Sequence, residues 1–385
     1  MIDPEFAVET ARELVRIDSR NPALEAGAPG ELALARHVED VVRGFGGWDV
    51  ERQDLAGGRA NVVAVRRGTG GGPSLMLNVH LDTVGVAGME TPFSGALLDG
   101  RIHGRGAQDT KGGMAAVLAA ARALSEADVR LAGDLVLAFV ADEEHESLGT
   151  TALLERIRTD AAIVIEPTDL DVCVAHRGFA VYELRTGGRT AHGGRSDLGI
   201  DANLRMGRVL AGLDALRRRW AERPEHPRLG TPALHVPLLR GGRHLYVYAD
   251  ECAAQVECRT VPGQTEREVR RELQGILDEI GGRLDGFQGT VRPVLWRGPH
   301  EVHPDRPIVR AAARAAHEVR GAPARLIGHA WWEDSGLLGE VGIDAVVLGP
   351  RGGGLHTEEE WVDASSVVEL AEVLRRSIVS YCGAG

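Results

Sequence analysis

The sequence predicts an α/β fold in two domains: a mostly parallel sheet with helices on both faces, and an inserted βαββαβ module of ferredoxin-like topology. Three observations predict it. Short apolar runs alternate with helical patterns towards both ends of the chain. The middle of the chain instead carries strands of alternating polarity. A length of 385 residues suits two cores better than one, and 43% hydrophobic with 26% charged residues is ordinary for a folded chain.

Residues 60–65 and 74–79 read as strands, the second a continuous apolar run too short for a helix. The glycine-rich stretch 68–72 between them reads as a loop; it lacks the GxxxxGK pattern of a phosphate cradle. Residues 114–124, rich in Ala and Leu, read as a helix. Residues 134–140 and 161–165 are again strand-like. Residues 178–186 alternate as a half-exposed strand does, 201–220 are helical, and 233–239 and 251–259 are strands. A helix at 266–280 and a strand at 289–295 complete the inserted module. Residues 344–348 form one more buried strand, and 364–379 an amphipathic closing helix. The expected boundaries are a discontinuous domain at 1–177 and 297–385, interrupted by a module at 178–296.

Composition narrows the function. A net charge of −12 argues against nucleic acid as a partner, because phosphate binding needs concentrated positive charge. No apolar run of ~18 residues offers a membrane span, and the first twenty residues carry early acids without an apolar signal core. Cys173, Cys252, Cys258 and Cys382 show no CxxC spacing, so free thiols and a cytoplasmic setting are expected. Among 44 basic residues Lys111 is the only lysine, which suggests a local demand for an ammonium group.

The chemistry lies after the strands. Strand 74–79 runs into His80-Leu81-Asp82; Asp109 stands before the helix at 114–124; strand 134–140 runs into Asp142-Glu143-Glu144; strand 161–165 ends in Glu166; and strand 344–348 leads through a glycine-rich turn to His356. In open α/β sheets ligands bind beyond the carboxyl ends of the strands, so one rim receives all these groups. Asp109, Glu143, Glu144 and Glu166 together would repel one another. Divalent cations remove that cost, and a set of nitrogen and oxygen donors suits zinc, with cobalt or manganese as substitutes. One carboxylate shared between two ions is the pattern of a two-metal site. Taken singly, each element also has a plain structural use; Asp109, for instance, suits a helix N-cap.

These stretches resemble the zinc-dependent family that contains acetylornithine deacetylase, succinyl-diaminopimelate desuccinylase, aminoacylase and glutamate carboxypeptidase. The matching segments are Asn78-Val79-His80-Leu81-Asp82, residues 104–113 (GRGAQDTKGG), Ala141-Asp142-Glu143-Glu144, Ile165-Glu166-Pro167, Thr190-Ala191-His192 and residues 354–359 (GLHTEE), in the family's order. The resemblance implies that Asp109 bridges two metal ions, with His80 and Glu166 on one and Glu144 and His356 on the other. It implies that Glu143 is the general base, that Asp82 orients the metal-binding His80, and that Lys111 belongs to the family's Asp-x-Lys-Gly pattern. It further implies that the inserted module is a lid that forms a homodimer, with His192 reaching a partner's active site to stabilise the oxyanion. Arg259 matches an arginine that holds a substrate carboxylate. The chain departs from the family at Gly193-Gly194-Arg195, where a serine often follows the lid histidine, and at Arg351, where glycine is more common. Arg351 is expected to add a second contact to an acidic substrate. The implied activity is hydrolysis of an N-acyl amino acid; a dipeptidase or carboxypeptidase is the alternative. A non-catalytic metal-holding protein is disfavoured, since the base and every ligand are present.

Overall fold

Leu75–His80, Leu135–Val140 and Ala161–Val164 are buried along their whole length, which is why these runs are apolar throughout rather than alternating. They belong to the first of two units in the computed structural model, which describes residues 1–86 and 88–384. The first unit comprises Met1–Val174, Val302–Ile327 and Glu333–Gly385. Its four central strands are parallel, in the order Leu135–Val140, Leu75–His80, Ala161–Val164, Asp344–Val347.

The flanks of the sheet run antiparallel, so it is mixed. Asp49–Asp54 and Ala60–Arg66 pair as antiparallel neighbours, and the latter is also antiparallel to Leu135–Val140. The five residues that join Asp54 to Ala60 are too few for the crossover that parallel strands need. On the opposite flank, Val347 pairs antiparallel with Cys173.

Helices cover both faces. On one, Leu75, Leu77, Val79, Leu135, Leu137 and Phe139 pack with the helices Pro4–Arg16, Leu32–Phe45, Gly112–Glu126, Pro307–Arg320 and Ala364–Cys382. On the other, Met76, Val136, Ala138 and Val164 meet Leu153 and Leu154 of Leu148–Leu154 and Leu338 of Ser335–Glu340. Gly112–Glu126 is buried nearly all round and built largely of alanine, which lets neighbouring helices approach it closely. A small sheet, Gly352–Gly353, Trp361–Asp363, Arg101–His103 and Ala96–Leu98, holds the ends of the segment that carries His356.

The second unit comprises Ala175–Glu301 and Gly328–Trp332. Its sheet is antiparallel in the order Ala233–Gly241, Glu251–Thr260, Gly178–Gly187, Gly289–Arg297. With the helices Ala202–Ala221 and Glu266–Arg283 this is the expected βαββαβ arrangement. Gly178–Gly187 alternates in burial along its length, as a strand with one face on a core must. Thr265 and Glu268 form a reciprocal capping box at the start of Glu266–Arg283. All four cysteines are buried, and no disulfide joins them. Among the described residues, no helix is long and apolar enough to cross a membrane.

Candidate metal centre

Because the three buried strands are parallel neighbours, the residues just beyond them arrive at one edge. His80 closes its strand, Glu143 and Glu144 follow Val140, and Glu166 follows Ala161–Val164. Asp109 joins them from the turn before Gly112–Glu126, and His356 from the turn after Gly352–Gly353. Asp109, the acid that the sequence also allowed as an N-cap, directs its carboxylate into this cluster.

The carboxylate of Asp109 divides between two imidazoles. Its Oδ1 lies 2.8 Å from His80 Nε2 and its Oδ2 lies 3.0 Å from His356 Nε2. Glu166 Oε1 is 3.5 Å from His80 Nε2, and Glu144 Oε1 is 3.3 Å from His356 Nε2. Donor atoms of His80, Asp109 and Glu144 fall within 4.8 Å of one another, as do those of His80, Glu143 and Glu166. Ligand atoms on one tetrahedral zinc lie roughly 3.3 Å apart, given bonds of ~2.0–2.1 Å, and these separations bracket that value. Glu144 Oε1 is buried and, despite its closeness to His356, has no hydrogen-bond partner among the described residues. A buried acceptor without a donor is costly, and a cation satisfies it. The residues therefore fit a pair of divalent ions.

The charge states lead to the same conclusion. Burial, then Asp334, pushes Glu143 well above the usual carboxylate range, and burial with Asp109 does the same to Glu166. Glu144 is raised for the latter reasons. Burial opposes a charge on His80, yet Glu166 and Asp109 hold its pKa well above the ordinary value. His356 is raised to about 10 by its hydrogen bond to Asp109 and by Glu144. Burial works against the charge on Asp109, but His356 and His80 keep its carboxyl below the usual range. Most of these shifts move the cluster towards neutrality, which is what bound cations would provide.

The supporting contacts go beyond what the sequence suggested. His80 Nδ1 faces the backbone carbonyl of Asp82 at 2.8 Å, while the Asp82 carboxylate, the group expected to orient the ring, is 3.8 Å away. A ring that donates through Nδ1 presents the Nε2 lone pair to a metal. The Asp82 carboxylate instead accepts the backbone N–H groups of Glu143 at 3.1 Å and Glu144 at 3.3 Å. Glu360 is equally informative. Its buried carboxylate accepts from the backbone N–H groups of Gly106, Gln108 and Asp109 and from Arg105, at 2.7–3.1 Å. Arg105 also donates to the carbonyl of Thr357, so the Asp109 and His356 turns are tied together. Gly354 opens the His356 turn at φ +73, and a Cβ there would meet the Glu359 carbonyl at 2.2 Å. The only sequence signal for Glu360 is its place at the end of the 358–360 acidic run.

Lys111 is fully buried, and its Nζ donates to the carbonyl of Ile17, the C-cap of Pro4–Arg16, at 2.7 Å. Burial lowers its pKa to about 8. A compact ammonium at a helix C-terminus suits the helix dipole, which gives the chain's single lysine a structural task.

Three expected residues remain: Arg351, His192 and Arg259. Arg351 is already occupied: its fork holds Glu369 at 2.6 and 3.0 Å, and Asp363 is 3.6 Å away. A guanidinium filled in this way is not presented to a substrate, so the expected second anion contact is withdrawn. His192 and Arg259 belong to the second unit. His192 is exposed, and its Nδ1 accepts the Gly194 N–H at 3.1 Å. Arg259 pairs with Glu257 at 2.6 Å and lies over the Phe179 ring.

The profile of peptidase family M20/M25/M40 matches residues 76–380. An N-formyl-4-amino-5-aminomethyl-2-methylpyrimidine deformylase of Bacillus subtilis is 29% identical, over 98% of this chain and 95% of that protein. An acetylornithine deacetylase of Myxococcus xanthus is 31% identical, over 88% of this chain and 89% of its own length. Among solved structures, the aminopeptidase PepT of Bacillus cereus superposes with a TM-score of 0.80 at 21% identity, covering 99% of this chain and all of that one (100%). The YXEP protein of Bacillus subtilis, a dinuclear metal binding peptidase, superposes with a TM-score of 0.73 at 16% identity, over 98% and 97% of the two chains. At these identities the structural matches speak for the fold alone.

Proposed function

This chain belongs to peptidase family M20/M25/M40, and from that premise we propose that it hydrolyses the amide bond of an N-acyl amino acid at a dinuclear zinc site. That it is a metal-dependent amidohydrolase follows from the family; the substrate, the metal and the residue roles are our reading. His80 and Glu166 would hold one ion, Glu144 and His356 the other, with Asp109 between them. The observation that carries this is the division of the Asp109 carboxylate between His80 and His356, at 2.8 and 3.0 Å.

Two divalent ions there would supply Lewis acidity at the scissile carbonyl and lower the pKa of a water towards ~7. Glu143 takes the proton from the attacking water and delivers it to the leaving amine. His192 as oxyanion donor and Arg259 as the fork for a substrate carboxylate rest on the family resemblance. A homodimer through the second unit is supported by Leu238 and Leu239, exposed on the edge strand Ala233–Gly241. Four buried thiols accord with a cytoplasmic setting.

An N-acyl amino acid is favoured because relatives named for acetylornithine and N-acetyl-L-citrulline deacetylation match 88% and 96% of this chain. The match to a deformylase over 98% of this chain favours a second reading, hydrolysis of an N-formyl aminomethylpyrimidine. The test is amine release from N-acetyl amino acids, N-formyl amines and dipeptides, using metal-stripped protein with and without Zn²⁺ or Co²⁺. Metal-dependent release from the N-acetyl amino acids supports the proposal. Release confined to formamides or dipeptides overturns the substrate class, and equal rates without metal overturn the chemistry.

A further inference from the structure

Beneath the Glu143–Glu144 turn lies a buried polar cluster that none of the proposed catalytic roles uses. Asp142, just before the turn, adopts φ 71, a left-handed conformation rare for a side chain other than glycine. Its carboxylate Oδ2 accepts the backbone N–H groups of Glu146 and Leu148 at 3.2 and 3.4 Å. The next two N–H groups, of Glu143 and Glu144, go to Asp82. Two carboxylates, Asp82 and Asp142, therefore hold the backbone that carries the proposed base and one proposed ligand. Both are at most 1% exposed, and left to themselves they would repel.

Two residues far away in sequence join them. The Asn21 amide donates one hydrogen to Asp82 Oδ2 at 2.7 Å and the other to Asp142 Oδ1 at 2.9 Å. Arg59 donates to Asp142 Oδ1, and its Nη2 lies 3.9 Å from Asp82 Oδ2. The other side of the guanidinium grips Glu31 through two bonds of 2.7 and 3.0 Å. Asn21 and Glu31 are fully buried and Arg59 is 7% exposed, so water screens little of this. Glu31 caps no N–H at the start of Leu32–Phe45; its carboxylate serves Arg59 instead.

We infer that Arg59 and Asn21 are positioning residues that hold Glu143 and Glu144 in register by clamping Asp82 and Asp142 beneath the turn. This rests on the two-ion reading above and extends it. Arg59 acts on Glu144, and so on the Glu144–His356 ion, through the turn. Glu166 is carried by a separate strand, and His80 stands within Leu75–His80, its ring held by a backbone carbonyl rather than by the clamped carboxylate of Asp82. Losing the clamp should therefore weaken one ion and spare the other.

The experiment titrates metal-stripped protein with Co²⁺ and follows visible absorption, for the wild type, Arg59→Met, Asn21→Ala and, as a reference that marks the Glu144 step, Glu144→Gln. Wild type should take up two Co²⁺ in separable steps. Arg59→Met and Asn21→Ala should weaken the step lost in Glu144→Gln by roughly 10–100-fold, the usual cost of removing an outer support. The other step should stay unchanged. Arg59→Lys, which restores the charge without the fork, should fall between. Equal weakening of both steps, or of neither, overturns the inference while leaving the two-ion site standing. Uptake of one Co²⁺ by the wild type refutes the two-ion site, and the inference falls with it. Asn21→Ala removes no charge, so it decides the matter even where Arg59→Met fails to fold.

Discussion

The carboxylate of Glu360 accepts the backbone N–H of Asp109 at 3.1 Å. That bond is one of several by which a buried acid shapes the turn that presents the proposed bridging ligand. Asp109 can divide between His80 and His356 only while this turn keeps its form. Glu360→Ala would leave Arg105, 2% exposed, without its carboxylate partner. Breaking a buried pair in this way costs about 3–5 kcal/mol. We expect Glu360→Ala to unfold at markedly lower urea concentration and to retain less than one tightly bound metal per chain. Glu360→Gln, which keeps one acceptor oxygen, should fall between it and wild type. Unfolding midpoints and metal analysis together check this; unchanged metal content in Glu360→Ala would detach the turn from the site.

Glu143 lies within the donor cluster but is proposed as a proton carrier rather than as a ligand. The two roles separate experimentally. Glu143→Ala should bind two metals as wild type does, while kcat falls by at least ~10²–10⁴ and KM stays close to its original value. A variant that loses one metal instead would move Glu143 into the ligand set.

Protons should leave when metal enters. In the metal-free chain His356 is held at about 10, chiefly by Asp109, and His80 well above its ordinary value. Glu143 and Glu166 are raised well above theirs, chiefly by burial. Ligation requires neutral imidazoles and charged carboxylates, so Zn²⁺ uptake near pH 7.5 should release about two protons or more per chain. Calorimetric titration in buffers of different ionisation enthalpy measures this; identical heats in each buffer would contradict it. The same shifts fix the sign of the pH dependence. A histidine whose folded pKa is raised stabilises fully below its unfolded pKa and loses that contribution as pH rises through the folded value. For His356 that window runs from 6.5 to about 10. The raised carboxylates act in the same direction. The metal-free chain should therefore lose stability as pH rises from 6.5 to about 8, below the range in which Lys111 acts the other way, and the zinc-loaded chain should lose less.

Much of the centre was legible because continuous apolar strands end abruptly in acids and histidines. His80, Glu143, Glu144 and Glu166 follow such runs, and parallel pairing brings them together. What was not legible depends on partners remote in the chain. Asn21 and Arg59 stand in segments without periodicity, and nothing local reveals that they meet Asp82 and Asp142 across 61 and 83 residues. The strand Asp49–Asp54 was missed for a different reason. Its six residues, DVERQD, are mostly polar because it pairs on one side only and none of its side chains is fully buried. The role expected of the Asp82 carboxylate shows a third limit: position predicted the residue beside His80, but its backbone oxygen, not its side chain, meets the ring.

Arg351 illustrates the same limit in its strongest form, and it yields the last prediction. Its place before the His356 turn suggested a contact with an acidic substrate. The sequence could not show that Glu369, eighteen residues on, returns along the closing helix to fill the fork. The guanidinium is held mainly by Glu369, which raises its pKa above the ordinary value. About a third of each side chain remains exposed, at 35% and 31%, so solvent screens the pair and its worth is about 1 kcal/mol. Arg351→Ala should therefore lower the unfolding midpoint slightly and leave KM unchanged for every substrate of the panel. Glu369→Ala should reproduce that stability loss, and the double variant should add little more, because both single changes remove the same contact. A rise in KM for acidic substrates alone, without loss of stability, would return Arg351 to the binding site.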